Sequence, residues 1–240
     1  MHIKNHYDNH LGNIYAWMTG DFEEKQIAQQ AFFIAQNVIP NSSKVAVDLG
    51  AAHGIQSVSL AKLGFTVHAV DFNHQLLSAL QQNSTALPVA IVEDEIMHYL
   101  EHANIEAELI VCMGDTLTHL ENLEQVDMLI RLAYKKLIAG GKIILSFRDL
   151  TRKLAGGQRF IPVRSDDTRI LTCFLEYFPE TVMVHDILYE KINGQWEQTV
   201  SAYPKLRMEE SMVADLLVKN GFRITLSQTI DRMIHLIAVK

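Results

Sequence analysis

The sequence has 240 residues, a length that suits one domain carrying an insertion. Hydrophobic residues make up 48% and charged residues 20%, which is ordinary globular composition with enough apolar material for a full core. The formal net charge of −7 argues against a nucleic-acid partner, because phosphate backbones are held mainly by clustered Lys and Arg.

Cysteine content and hydropathy bear on the compartment. Cys112 and Cys173 both lie in apolar runs, so we expect buried, reduced thiols. The first ten residues are polar and no apolar run reaches membrane-spanning length. We therefore expect a soluble, cytoplasmic protein without a membrane partner.

The first predicted helix follows an aromatic and polar N-terminal segment. Asp21 and Glu24 have the spacing of a capping box, which favours a helix from there to about Val38. Its expected buried stripe contains alanines at 28, 31 and 35 together with Phe32 and Val38. Residues 1–40 are thus interpreted as an N-terminal cap segment and helix.

From residue 44 onward, short apolar runs alternate with helical periodicity. The alternation gives five βα repeats, with Gly140 and Gly141 expected to close the fifth helix, and it is typical of a doubly wound parallel sheet. The predicted strands span residues 44–49, 65–70, 89–93, 109–113 and 142–147.

Residues 151–207 interrupt this alternation. Three β-rich stretches, 169–177, 182–191 and 195–202, predict an antiparallel β insertion with a hairpin turn at Asn193-Gly194. After a helix at 209–220, two strands follow so closely that they can only be antiparallel neighbours. The predicted fold class is α/β: a doubly wound, seven-stranded, mostly parallel sheet with an antiparallel last strand, plus the antiparallel β insertion.

The most informative motif is VAVDLGAAHG at residues 45–54, at the first strand-to-helix turn. In doubly wound sheets a ligand binds outside the carboxyl ends of the strands, where small residues let the backbone approach it. Asp71 follows Gly50 by twenty-one residues, and a carboxylate there can accept from both hydroxyls of a ribose. Together these features indicate an adenosine-containing cofactor. The spacing Gly50-x-Ala52-x-Gly54 is shorter than the G-x-G-x-x-G of dinucleotide sites.

This segment resembles motif I of the class I S-adenosylmethionine-dependent methyltransferases, an acid and an apolar residue followed by G-x-G-x-G. In that family an acid after the third strand receives the adenine amino group, and Asp94, next to Glu95, stands there. Phe72 would pack on the adenine. Residues 109–120 resemble the fourth-strand motif of the glycine/sarcosine N-methyltransferase type, with a Cys112-Met113-Gly114-Asp115 turn under the methionine end and a His119-Leu120 pair. The resemblance implies that S-adenosylmethionine is the cofactor, bound by residues that include Tyr15, Trp17, Asp48, Gly50, Ala51, Ala52, Gly54, Asp71, Phe72, Asp94, Glu95, Cys112, Met113 and Gly114.

Several of these residues admit a structural alternative. Asp48 could contact the cofactor's amino group or hydrogen-bond the loop after it. His119 could act as a general base, because imidazole titrates near neutral pH, or bridge the fourth-strand turn. Tyr15 and Trp17 could be a packed N-terminal staple, whereas the resemblance suggests that they fold over the cofactor.

The histidines and arginines complete the candidate residues. His6/His10 and His98/His102 have i,i+4 spacing, but neither pair is H-E-x-x-H, so we interpret them as solvated and expect no metal site. Arginines are dense between the fifth strand and the insertion, and one or two could grip an acceptor carboxylate. The candidates for acceptor binding are Arg148, Arg164 and Tyr203.

The function that follows is transfer of a methyl group from S-adenosylmethionine to a small-molecule acceptor, by a monomer or homodimer. Residues 1–20 and 151–207 are expected to build the acceptor pocket over the strand ends. Two alternatives stay open: a catalytically silent S-adenosylmethionine-binding regulatory or assembly protein, for which Ala52 leaves room, and a nicotinamide-dependent oxidoreductase.

Overall fold

The computed structural model describes residues 3–240, which form a seven-stranded sheet flanked by helices and a separate four-stranded sheet. The N-terminal cap segment was predicted to begin at residue 1, and its first two residues lie outside the described part. In residues 3–240 no helix is both long enough and apolar enough to cross a membrane.

The large sheet is built by five βα repeats. The central strands β1, β2 and β4 are largely buried, because helices cover both faces of the sheet, and this explains the nearly continuous apolar runs in the sequence. The elements are α3 (Phe22–Ala35), β1 (Val45–Leu49), α4 (Ile55–Lys62), β2 (Thr66–Asp71), α5 (His74–Asn83), β3 (Val89–Glu93), α6 (Ile96–His102), β4 (Ala107–Cys112), α7 (Leu123–Lys136) and β5 (Leu137–Phe147).

The chain ends with α8 (Glu210–Lys219), β10 (Arg223–Ile230) and β11 (Met233–Val239). The strand order is β10-β11-β5-β4-β1-β2-β3, and β11 runs antiparallel to both of its neighbours. The predicted sheet, parallel except for its last strand, is therefore confirmed. Carboxyl ends of the parallel strands β1, β2, β4 and β5 meet at one edge, and this edge positions the candidate site.

Helix starts follow the capping chemistry of the sequence. Asp21 accepts a hydrogen bond from the Glu24 amide at 2.8 Å, and Asn73 and Asn122 cap α5 and α7 in the same way. Since each of these side chains pairs a backbone N–H that the helix leaves free, each stabilises its helix start by about 1 kcal/mol.

Two predicted details are wrong. Helix α3 ends at Ala35 rather than near Val38, because Asn37 turns to a left-handed conformation (φ 52°), and the face it buries contains Gln26 and Phe33 while the predicted alanines are exposed. Gly140 and Gly141 do not close α7. They lie inside β5, where the pairing with β4 shifts register and the chain bulges.

The second sheet has the order β6-β7-β8-β9, all antiparallel: β6 (Phe160–Ser165), β7 (Arg169–Tyr177), β8 (Thr181–Ile192) and β9 (Gln195–Leu206). The hairpin turn at Asn193-Gly194 is confirmed, with positive φ at both residues. Strand β6 was not predicted. It is a short edge strand that contains Pro162 and an irregular register, so its sequence has little alternation.

The N-terminal segment packs against this second sheet. It consists of α1 (Ile3–His6), a π-helical turn (Tyr7–Leu11) and α2 (Gly12–Thr19). Leu11 and Ile14 are buried in one cluster with Leu171 of β7 and Leu188 of β8. As a result the segment and the second sheet together lie over the strand-end edge of the large sheet.

Candidate functional site

The loop after β1 and the acid that ends β2 lie side by side. The Asp71 carboxylate accepts hydrogen bonds from the backbone amides of Ala52 and Asn73, each at 2.9 Å. Burial raises the pKa of Asp71 although these amides favour its charged form. Each carboxylate oxygen has lone-pair capacity beyond these bonds, so the group can accept further hydrogen bonds at this edge.

Only part of the small-residue loop faces the edge. Gly50 and Ala52 keep accessible surface, whereas Ala51 packs in the core and Gly54 is buried against Leu80 of α5. A Cβ on Gly50 would lie 2.5 Å from the Thr116 side chain, so Gly50 is required by this packing. Ala52 has a φ of 46°, a left-handed conformation unusual for a non-glycine residue.

Asp48 is hydrogen-bonded within the protein, to the helix that follows the loop and not to the loop itself. It is 1% exposed and accepts a 2.6 Å hydrogen bond from the Ser57 hydroxyl of α4. Burial raises its pKa to about 7, with the Ser57 hydrogen bond opposing that effect. The side chain therefore lies behind the loop and does not reach the edge.

The turn after β4 exposes one of its predicted residues. Cys112 and Met113 are buried in the core, and burial raises the pKa of the Cys112 thiol to about 12. Gly114 is exposed although it follows a buried strand near the middle of the sheet, and a Cβ placed there would meet no atom within 4 Å. Gly114 thus borders open space at the strand-end edge, which we call the cleft.

The acids and the aromatic residue predicted to hold an adenine lie near Asp71. The Asp94 amide donates to the Asp71 carbonyl, and the Asp94 carboxylate pairs with His98 at 2.8 Å and accepts a hydrogen bond from the Glu95 amide. Phe72 is half-buried and Glu95 is exposed. Phe72 and Asp94 thus both lie beside Asp71, next to the end of β2.

The N-terminal segment closes the cleft from above. The Tyr7 ring lies 5.6 Å from the Phe72 ring, and its hydroxyl lies 3.4 Å from Nε2 of His119. Tyr15 packs at 5.2 Å on His53, and burial raises the pKa of the Tyr15 hydroxyl to about 12, with the charges of Asp71 and Asp115 adding to the effect. Trp17 does not face the cleft: its indole N–H donates to Asp166, in the turn between β6 and β7.

His119 lies in the cleft wall, beside Tyr7 and Tyr203. Burial, reinforced by the charge of Lys205, lowers the pKa of His119 to about 3, so the imidazole is neutral at physiological pH. Its Nδ1 is buried without a hydrogen-bond partner among the described residues.

The predicted acceptor-binding residues separate into two places. Tyr203 of β9 is buried with its ring 5.6 Å from that of His119, so it lies above the cleft. Arg148 lies at the cleft but donates to Asp115 at 2.9 Å. Arg164 lies outside the cleft, where its exposed guanidinium stacks over Trp17.

Asp115 forms a charged cluster with Arg148 and with Lys205 of β9. Burial acts to raise the pKa of Asp115, but the charges of Lys205 and Arg148 outweigh it and lower the pKa to about 2. The cluster ties the second sheet to the end of β4. Sequence reasoning missed it because the partners are separated by 33 and 90 positions.

The interpretation of His6 and His10 as solvated is wrong: both are buried. His6 contacts Ser201 at 2.7 Å and Asp186 at 3.2 Å, with its ring 4.1 Å from Tyr203. A buried imidazole needs such partners, and these come from β8 and β9, far along the chain. The other pair, His98 and His102, is exposed as predicted.

Comparisons with known proteins agree with this architecture. A family model described as a methyltransferase domain matches residues 46–141. A comparison with curated protein sequences gives no significant match.

Three solved structures illustrate the likeness in fold. The CcbJ methyltransferase from Streptomyces caelestis shares 18% identity with a TM-score of 0.78, covering 97% of this chain and 96% of that one. CalS10, an amino pentose methyltransferase from Micromonospora echinaspora with bound S-adenosylmethionine, shares 10% identity (TM-score 0.73; 92% and 93% covered). Magnesium protoporphyrin IX methyltransferase from Synechocystis PCC 6803, also with the bound cofactor, shares 15% identity (TM-score 0.62; 99% and 95% covered). At these identities the likeness establishes the fold: this chain has the α/β methyltransferase fold, a seven-stranded sheet with its last strand reversed.

Proposed function

We propose that the chain binds S-adenosylmethionine in the cleft and transfers its methyl group to a small-molecule acceptor held beneath the second sheet. The observation that carries this proposal is the adjacency of the Ala52 loop and the Asp71 carboxylate at the carboxyl ends of β1 and β2. Solved structures of this fold, including two with S-adenosylmethionine bound, support the same choice of cofactor.

The residues at the edge fit this cofactor. Asp71 has lone pairs for a ribose diol, and the half-buried Phe72 supplies an aromatic ring on which an adenine would pack. Asp94 could accept from an adenine amino group, and Gly50, Ala52 and Gly114 present accessible backbone. The Cys112–Asp115 turn and the His119-Leu120 pair support a likeness to the glycine/sarcosine N-methyltransferase type within the fold.

S-adenosylmethionine supplies an activated methyl group on its sulfonium, so the protein's contribution is to hold the acceptor in line and exclude water. Positioning of this kind contributes on the order of 7–11 kcal/mol to lowering a two-reactant barrier. Tyr7 and Tyr15, above the cleft, exclude water, and their raised pKa values keep both phenols protonated as hydrogen-bond donors. The neutral imidazole of His119 can hydrogen-bond the acceptor, but with a pKa of about 3 it does not retain a proton taken from an amine.

Calorimetric titration with S-adenosylhomocysteine tests the cofactor site. Asp71→Asn should weaken binding by about 1–3 kcal/mol, roughly 5- to 150-fold, because a charged hydrogen-bond partner is lost in a buried site. Asp127→Asn, which alters an ion pair with the exposed Lys219 between α7 and α8, is the matched control and should bind like wild type. Equal affinity in all three proteins would mean that Asp71 does not hold the ribose.

Methyl transfer is tested with methyl-labelled S-adenosylmethionine and a panel of amine, hydroxyl, thiol and carboxylate acceptors. Label in an organic product that depends on the protein supports the enzyme. Binding without transfer to any acceptor favours the catalytically silent alternative, and the left-handed Ala52 at the place of the family's middle glycine is the observation that keeps this alternative open. The reversed strand β11 disfavours the nicotinamide-dependent alternative, since dinucleotide-binding sheets usually lack it.

A further inference from the structure

The four-stranded sheet has two faces of different character, fixed by its register. On the inner face, Leu171, Val184 and Leu188 are buried against the body of the molecule. The outer face, defined by the alternate residues, carries large apolar side chains in solvent. Its exposed members are Phe160 (52%), Ile170 (39%), Tyr189 (37%), Trp196 (47%) and Val200 (54%).

These residues form a contiguous surface because they lie in adjacent rows of the ladder. Thr172, Ile187 and Val200 are paired across β7, β8 and β9, and the next row is Ile170, Tyr189 and Gln198. Neither row contains a charge. The flanking rows contain Trp196 beside Lys191 and Phe160 in line with His185. A large apolar patch with polar residues at its rim is a mark of an interaction site.

We propose that this outer face is an interface with a second copy of the same chain, packed face to face about a two-fold axis. Four strands about 4.8 Å apart and roughly ten residues long at about 3.3 Å each span roughly 600 Å² as a flat rectangle. The pleated side-chain surface is larger, and it approaches the ~800 Å² per partner that stable interfaces bury.

Charge complementarity selects a second copy and sets its orientation. Lys191 lies four residues from Ile187 toward one end of β8, and Met183, which pairs with Glu176 of β7, lies four residues toward the other end. A two-fold axis across the strands through the Ile187 row reverses the strands, so it places Lys191 of one copy over the Glu176 end of the other. Sheets packed at about 10 Å leave room for two long side chains to meet there.

The charge on the chain disfavours a lipid surface as the occupant. Binding to anionic lipid requires clustered Lys and Arg around the apolar patch. The formal net charge is −7, and the outer face carries Glu176, paired with His185, beside its cations Arg159 and Lys191.

Size-exclusion chromatography with light scattering, over a range of protein concentrations, tests the interface. We expect the wild-type protein to be a dimer. We expect Val200→Glu to be a monomer, because a carboxylate would be buried unpaired in each copy. The control Val218→Glu alters a similarly exposed valine (61%) on α8 and should remain a dimer. Circular dichroism confirms that each variant is folded. A wild-type monomer at every concentration, with or without vesicle binding, overturns the proposal, as does a Val200→Glu dimer.

A charge exchange tests the orientation. Lys191→Glu and Glu176→Lys each place like charges opposite one another twice per dimer, and each should weaken dimerisation severalfold. The double variant restores opposite charges and should return to near the wild-type dissociation constant. A double variant that dissociates more readily than either single variant overturns the two-fold arrangement.

Discussion

The buried charge cluster that ties the second sheet to β4 gives the clearest test of the energetics. Asp115→Asn preserves the size of the side chain and suits its left-handed backbone (φ 79°), which Asn tolerates, so the change isolates the charge. The Asp115 side chain is 3% exposed and Lys205 is 12% exposed, whereas Arg148 is 49% exposed. After the substitution, water can therefore solvate the charge of Arg148 but not that of Lys205.

The expected loss follows from this difference. Leaving one buried partner uncompensated costs about 3–5 kcal/mol, and the half-exposed Arg148 pair adds no more than about 1 kcal/mol. The free energy of unfolding, measured by urea titration at neutral pH, should fall by the sum of these two contributions, which the loss at Lys205 dominates. Asp115→Asn/Lys205→Met should recover most of it, since no buried charge then lacks a partner.

The control is Asp127→Asn, whose partner Lys219 is 63% exposed and whose loss should be at most about 1 kcal/mol. The pKa of Asp115 is lowered from 3.8 to about 2, so its stabilisation is complete above the unfolded value and is lost as pH falls through about 2. If Asp115→Asn is no more destabilising than Asp127→Asn, the cluster does not hold the second sheet in the way we describe.

Two further predictions concern pH. The pKa of Asp48 is raised from 3.8 to about 7, so the stability that its folded-state proton contributes is complete below pH 3.8 and is lost as the pH rises through about 7. Asp48→Asn should therefore raise the melting temperature relative to wild type above pH 7. A difference in melting temperature that stays the same across this pH range would contradict the assignment. With the pKa of His119 at about 3 instead of 6.5, the pH–rate profile of methyl transfer should show no limb near 6.5, and His119→Gln should lower the rate without changing the profile's shape. A limb near 6.5 that His119→Gln removes would contradict this prediction and support His119 as the general base.

Most of the large sheet could be predicted because its determinants are local. Buried parallel strands produce apolar runs, and a helix cap such as Asp21 bonds an amide only three residues away in the sequence. The loop around Ala52 and the acid Asp71 were also predictable, since the fold fixes where the ends of β1 and β2 meet.

The upper wall of the cleft could not be predicted in the same way. His6 is buried because Asp186 and Ser201 reach it from strands about 180 positions away or more, and no local pattern marks such a pair. Arg148 was a candidate for binding the acceptor, but it is paired with Asp115, which lies 33 positions away and is not marked by any local pattern either. The low pKa of His119 likewise depends on burial by the N-terminal segment and on Lys205.

The most direct test of the central claim is a crystal structure with S-adenosylhomocysteine. We expect the ribose on the Asp71 carboxylate, the adenine beside Phe72 and the thioether near Gly114, with Tyr7 and Tyr15 enclosing the ligand. A structure in which these tyrosines fill the cleft, and the ligand is absent or bound elsewhere under saturating conditions, would contradict the account.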